Sequence, residues 1–301
     1  MRKKWLGAFR RRLAGAAFTT HYCSHYMCDV SRKSSAWKHE ERESRMKNQL
    51  NSFLNGLGYS VVSSKRMHLL EQRSREGADL ELLKACREEN VVQLLRNIAA
   101  SRSQLRQDLF VLSMLGFKRN GFFVEFGAAN GELHSNTYLL EKEFGWKGIV
   151  AEPARHWHEN LKKNRSCNIE TDCVWSESNL ILKFNETDTT ELSTVNSYSS
   201  SDSHKHNRKR GQVYEVKTIS LNDLLDKYNA PNEIDYLSID TEGSEYQILS
   251  AFDFDRYKFK VITVEHNFTE RRDDIYRLLT GKGYGRRFEE LSEFDDWYVR
   301  V

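Results

Sequence analysis

After Gly121 the chain alternates short apolar runs with stretches whose apolar residues return every three or four positions. That rhythm predicts strand-helix-strand units and a mostly parallel sheet. Strands are predicted over residues 122–126, 148–152, 168–175, 234–240 and 261–265, and helices over 136–144, 157–164, 221–228, 246–252 and 273–282. Residues 284–301 predict a terminal antiparallel hairpin, with Trp297, Tyr298 and Val299 in its last strand. The fold class expected is α/β, with a helical region ahead of the sheet.

That region is read from Leu80, Leu83, Val91, Leu94, Leu95 and Ile98, continued by Leu105, Leu109, Leu112 and Leu115, all at helical spacing. The expected organisation is a basic, poorly ordered arm over 1–45, a helical region over 46–103 and a catalytic domain over 104–301, with the helices packed on the domain and helping to cover its substrate. The stretch 196–212 is nearly devoid of apolar side chains and is expected to be a surface loop, with His204 and His206 facing solvent.

Charge sharpens the picture of the arm. The chain carries a net +3, divided into +8 over residues 1–50 and −5 over the rest. A basic surface covering the whole protein is thereby excluded, and no nucleic-acid partner is expected. Trp5, Leu6, Phe9 and Leu13 fall at helical spacing among basic residues, so a weak peripheral contact with anionic lipid stands as the alternative to a solvated tail. His21, Cys23, His25 and Cys28 crowd together but lack the second paired spacing of a structural zinc site, so no metal is assigned to them. Five scattered cysteines suggest a reducing compartment, and no run approaches the length of a membrane span, so a cytoplasmic protein is expected.

The candidate chemistry lies where strands end. Phe122-Phe123-Val124-Glu125-Phe126 runs into Gly127-Ala128-Ala129-Asn130-Gly131, a turn at the carboxyl end of a parallel strand, where open sheets bind ligands. Pyrophosphate binding calls for three glycines in Gly-x-Gly-x-x-Gly, and only two are present. An acid two residues before the first glycine fits a ligand with an ammonium group, because a buried carboxylate needs a cationic partner. The amino-acid part of S-adenosylmethionine carries that ammonium and a carboxylate. Glu152, after the next strand, can accept both ribose hydroxyls, and Asp172 is placed to flank the adenine.

Further along, Asp240-Thr241-Glu242-Gly243-Ser244-Glu245 gathers three acids at one strand end, which raises electrostatic cost and suits a functional site. Such a cluster can act as general base, bind a divalent metal through oxygen ligands, or hold substrate hydroxyls. Glu245 has the alternative of sitting in the first turn of a helix. At the end of the fifth strand, Glu265 and His266 stand side by side, and an imidazole is a natural acceptor for a hydroxyl proton.

With these residues assembled, the chain resembles the FkbM family of methyltransferases over roughly residues 104–300. The blocks that carry the resemblance are Gln107-Asp108-Leu109-Phe110, Gly121 to Gly127, Ser135-Asn136-Thr137-Tyr138-Leu139-Leu140-Glu141, Trp146-Lys147-Gly148, Glu152-Pro153, Ile234 to Glu245, Val264-Glu265-His266-Asn267 and Trp297-Tyr298-Val299. The resemblance implies a Rossmann-like class I methyltransferase fold, S-adenosylmethionine as donor, and O-methylation of a hydroxyl on a secondary metabolite or glycan. By motif position Glu125, Gly127 and Gly131 would hold the donor's amino-acid part, with Ala128 and Asn130 among its contacts, and Glu152 its ribose. Asp240, Glu242 and His266 are the expected acceptor-side residues, and no metal ligand is assigned. Ala129 departs from the family loop, where asparagine is frequent.

Overall fold

A computed structural model describes Ser52 and residues 63–187, 193–195 and 211–301. The basic arm, the histidine and cysteine cluster at 21–28 and nearly all of the 196–212 loop, with His204 and His206, lie outside the described residues. Among the described residues no helix is long and apolar enough to cross a membrane.

The elements follow in chain order as α1 (Ser64–Ala85), α2 (Glu88–Asn97), α3 (Gln107–Met114), β1 (Phe122–Phe126), α4 (Tyr138–Phe144), β2 (Lys147–Ala151), α5 (His158–Asn164), β3 (Asn168–Glu170), β4 (Cys173–Trp175), β5 (Ile181–Glu186), β6 (Thr194–Val195), β7 (Gln212–Ser220), α6 (Leu221–Lys227), β8 (Glu233–Ile239), α7 (Glu245–Ser250), β9 (Lys258–Glu265), α8 (Arg271–Gly281), β10 (Tyr284–Arg287) and β11 (Asp295–Arg300). Local chemistry sets several of the ends. Ser220 caps α6 by accepting the amide of Asp223, and α4 stops where Gly145 turns left-handed at φ 69°.

Seven strands form the main sheet in the order β3-β2-β1-β8-β9-β11-β10. The first five are parallel, and β11 enters antiparallel beside β9 with β10 outside it. The predicted hairpin is therefore present, with its second strand inserted next to β9. Period-two alternation divides β1 between two layers: Val124 and Phe126 face the cluster built with α6, α7 and α8, while Phe123 faces the one built with α1 to α5. Leu82 and Leu94 are buried in that second cluster, and Leu70–Val301 forms one compact unit, so from residue 70 onward the upstream helices share the core of the sheet.

Two differences from the predicted strands have a clear cause. The single strand expected over 168–175 is two, β3 and β4, in different sheets. Glu170, buried at the end of β3, accepts the amides of Thr171 and Asp172 through Oε1 and the ammonium of Lys227 at 2.6 Å, so the backbone turns away from the ladder there. A second sheet, β4-β7-β5-β6, was not foreseen: β5 and β7 pair antiparallel from Ile181↔Lys217 to Glu186↔Gln212.

In the main sheet the order turns back at β1. From there β2 and β3 lie to one side, β8 and β9 to the other, and the crevice beyond the carboxyl ends of β1 and β8 is where such sheets receive ligands.

Candidate active site

The turn after β1 is shaped by contact with the end of β8. Gly127 has φ +73°, and a Cβ there would lie 1.9 Å from the carbonyl oxygen of Asp240, so only glycine admits this approach. Gly131, at φ +82°, plays the same part towards α5, since a Cβ would come within 2.6 Å of Arg165 Cγ and 2.7 Å of Leu161 Cδ1. Between them Ala129 takes φ 44°, a left-handed conformation that asparagine tolerates better than alanine. Its amide donates to Glu152 Oε2 at 2.8 Å, which ties the turn to the end of β2. Ala128 is buried, and the Asn130 side chain closes the turn by accepting the amides of Glu132 and Leu133.

Glu125 requires a correction. Its carboxylate was expected to meet the ammonium of a ligand, but the protein supplies the cation itself. Arg165 Nη1 lies 3.2 Å from Glu125, with side chains 0% and 4% exposed, and Arg165 Nε donates to Glu141 at 2.6 Å. Ser135 Oγ, the amide of Asn136 and Thr137 Oγ1 also donate to Glu125. Glu125 thus holds the turn and the start of α4 from behind. Arg165 lies 40 residues away, and nothing local in the sequence marks it.

Glu152 directly follows β2, and Asp172 lies two residues beyond β3. Burial drives the Glu152 carboxyl up to about 7, against the amides of Ala154 and Ala129, with Asp240 and Glu186 adding to the rise. Asp172 is partly buried in the turn between β3 and β4, and its carboxyl is raised by burial and by Glu170.

The acid cluster is larger than the sequence suggested. β8 and β9 run parallel in the register Ile239↔Val264, so Asp240 and Glu265 follow side by side at the same rim. Carboxylate oxygens of Asp240, Glu242 and Glu265 all lie within 4.8 Å of one another. Glu242 sits at φ 58° and is buried. Glu265 is pushed well above the ordinary carboxylate range by burial and then by Asp240, Glu242, Glu245 and Asp295. Asp295, which accepts from Gln107 Nε2, is raised to about 8, chiefly by burial. Glu245 lies in the first turn of α7, the alternative read from the sequence, and turns its carboxylate back onto the amides of Thr241 and Gly243.

His266 does not fit the role of proton acceptor. Its Nδ1 accepts the amide of Phe268 at 3.0 Å, so Nε2 carries the proton and faces the carbonyl of Asp295 at 3.1 Å. Both ring nitrogens are occupied, and burial lowers the imidazole pKa, which leaves the ring neutral with no lone pair for a substrate. His266 is a clasp between β9 and the start of β11.

These shifts set the pH dependence of stability. Glu152 and Asp295 titrate higher in the folded state than unfolded, so between their unfolded and folded values the native protein holds the extra protons, and stability falls as pH rises. The folded protein is expected to melt at a higher temperature at pH 6.5 than at pH 8.5 at constant ionic strength. Equal melting temperatures would show that the two acids are not buried as described.

A cavity of about 630 Å³ opens beside the turn, with Ser103, Gln104, Asn130, His134 and Trp297 in its wall together with Arg75 and Asp79 of α1. This size suits a small organic ligand.

The mostly parallel sheet, its order turning back at β1, and the glycine turn against the end of β8 give the chain the α/β fold of the class I methyltransferases. The model of the methyltransferase FkbM domain matches residues 125–294, more than half of the chain, and the protein belongs to that family. Among solved structures it is similar to a methyltransferase FkbM from Methylobacillus flagellatus KT, at 14% identity and TM-score 0.40 over 75% of this chain and 59% of that one. It is also similar to a precorrin-6y C5,15-methyltransferase from Geobacter metallireducens GS-15, at 12% identity and TM-score 0.34 over 64% of this chain and 85% of that one. No curated protein matches the sequence.

Proposed function

We propose that the protein is an O-methyltransferase that moves the methyl group of S-adenosylmethionine onto a hydroxyl of a glycan or secondary metabolite. The observation that carries this reading is the contact of Gly127 with the Asp240 carbonyl, which sets the donor turn and the acid cluster at one rim. A rim bearing Glu152, Asp240 and Glu265 also suits a cationic donor. Glu152 would accept the ribose hydroxyls on lone pairs not used by the amides of Ala129 and Ala154. Asp172 would flank the adenine.

The donor supplies an electrophilic sulfonium methyl group, so that the S–CH3 bond breaks as the O–CH3 bond forms and S-adenosylhomocysteine leaves. Asp240 takes the proton of the acceptor hydroxyl, with Glu242 beside it. Gln104 and His134 in the cavity wall would offer hydrogen-bond partners to a hydroxyl-rich acceptor. Holding acceptor and donor in line supplies much of the acceleration, and a positioned base adds roughly 10²- to 10⁴-fold. Cys86, Cys167 and Cys173 are free thiols, which suits a cytoplasmic setting. A weak contact of the basic arm with membranes belongs to the same reading.

Donor binding by calorimetry and methyl transfer to a panel of glycans and metabolites, read by mass spectrometry, test it. Asp240→Asn is expected to lower kcat by roughly 10²- to 10⁴-fold, whereas His266→Gln leaves the pH–rate profile in place. A folded protein that binds no S-adenosylmethionine would be a non-catalytic binding protein. Turnover of RNA with steep salt dependence, and of no hydroxylated metabolite, would move the acceptor to nucleic acid.

A further inference from the structure

We propose that Asp240, Glu242 and Glu265 together bind one hard divalent cation at the mouth of the crevice. Three side chains from two adjacent strand ends converge there with one oxygen each, all within 4.8 Å of one another. A cluster of acids alone would not argue for an ion. The independent observation is Glu265: only 7% exposed, with an Oε2 that is fully buried and has no hydrogen-bond partner among the described residues. A buried carboxylate oxygen with no donor is costly unless something positive meets it. Arg272 of α8 and Arg286 of β10 both pair with Asp296.

The donor set fixes the class of ion. Carboxylates alone, without thiolate or imidazole, select magnesium, manganese or calcium over zinc or copper. Three oxygens spread evenly around one calcium, at about 2.3–2.6 Å each, stand roughly 4–4.5 Å apart, so a group within 4.8 Å of one another needs at most a closure of a few tenths of an ångström; magnesium or manganese, at about 2.0–2.1 Å, needs up to roughly an ångström. Three protein ligands leave coordination positions for water and for an oxygen of the acceptor.

Only the purpose of the ion rests on the proposed O-methyl transfer. There it would orient the acceptor hydroxyl and polarise its O–H bond, so that the proton leaves more readily to Asp240. This gives the site the activation that the neutral, doubly bonded His266 does not provide.

Manganese is the probe. The full chain, stripped of metal and without donor or acceptor, is titrated with Mn²⁺ while the free-ion electron paramagnetic resonance signal is followed. One Mn²⁺ per chain is expected, displaced by Mg²⁺ or Ca²⁺. Glu265→Gln and Glu242→Gln should each weaken it by at least about 10-fold, the scale on which even outer-shell changes weaken metal sites. Mn²⁺ should also raise the melting temperature of the unmodified chain but of neither variant.

No binding at millimolar Mn²⁺, or equal binding by both folded variants, overturns the site. If neither variant folds, an unchanged melting temperature of the unmodified chain in millimolar Mn²⁺ overturns it. Calorimetry with S-adenosylmethionine on the metal-free chain keeps the two readings apart: donor binding without Mn²⁺ binding removes this inference alone, and the reverse removes the methyl-transfer reading alone.

Discussion

Replacing Arg165 by methionine is expected to destabilise the protein by about 3–5 kcal/mol, the cost of stranding buried charge by removing its partner. Arg165 is wholly buried and holds Glu125 at 3.2 Å and Glu141 at 2.6 Å. It also donates to the carbonyl of Gly131 and to the hydroxyls of Ser135 and Thr137. Methionine fills much of the volume and offers no donor, so Glu125 loses its cation and Glu141 keeps only Lys142, at 3.1 Å. For a domain of this size the melting temperature should fall by roughly 6–20 °C. Lysine should recover only part of the loss, because a single ammonium cannot reproduce the planar fork that spans both acids. Adding Glu125→Gln to Arg165→Met should restore stability, since a neutral amide is cheaper to bury than an unpaired carboxylate. A double variant as unstable as the sum of the two single ones would mean that the pair is not coupled.

Gly127→Ala should remove methyl transfer. The new methyl would meet the Asp240 carbonyl at 1.9 Å, at a backbone φ of +73° that alanine adopts only under strain. The clash is with backbone on both sides, so no side chain can swing away to relieve it. The ends of β1 and β8 must part, costing on the order of 2–4 kcal/mol from overpacking and left-handed strain together. Displacement of the donor turn from the acids by about an ångström should lower turnover by roughly 10² or more. Gly116→Ala is the control: its φ is +58°, but nothing lies within 4 Å of the added methyl. It should cost only the backbone strain, about 1–2 kcal/mol, and leave kcat unchanged. Equal loss of turnover in both variants would trace the effect to global destabilisation instead of to the rim.

The strands that carry the turn and the acid cluster were legible because they are buried on both faces. Phe122 to Phe126 and Ile234 to Ile239 are near-continuous apolar runs, and the observed strands agree with the predicted ones to within a residue or two. The second sheet was not legible, because its side chains do not sort by polarity. In β5 Ile181 is 60% exposed, and in β7 Val213 is exposed while Thr218 and Ser220 are buried. Neither strand shows the alternation that periodicity detects.

The site divides along similar lines. Glycines and acids at strand ends are local signals, and Glu125, Gly127, Gly131, Glu152, Asp240 and Glu242 could be selected from the sequence because a short motif names each one. What each of them touches could not be. By itself the sequence determined the α/β layout, the family and the strand ends at which glycines and acids gather, since these depend on short-range patterns of polarity and on residues that turn the chain.

Only the tertiary structure decided the partners. It gave Glu125 to Arg165, turned His266 from a base into a clasp through Phe268 and Asp295, and left Glu265 facing Asp240 and Glu242 with a buried oxygen unmatched. Charge pairing and hydrogen bonding act over a few ångströms in space, and the residues involved are brought within that range only when β1, β8, β9 and β11 assemble into one sheet.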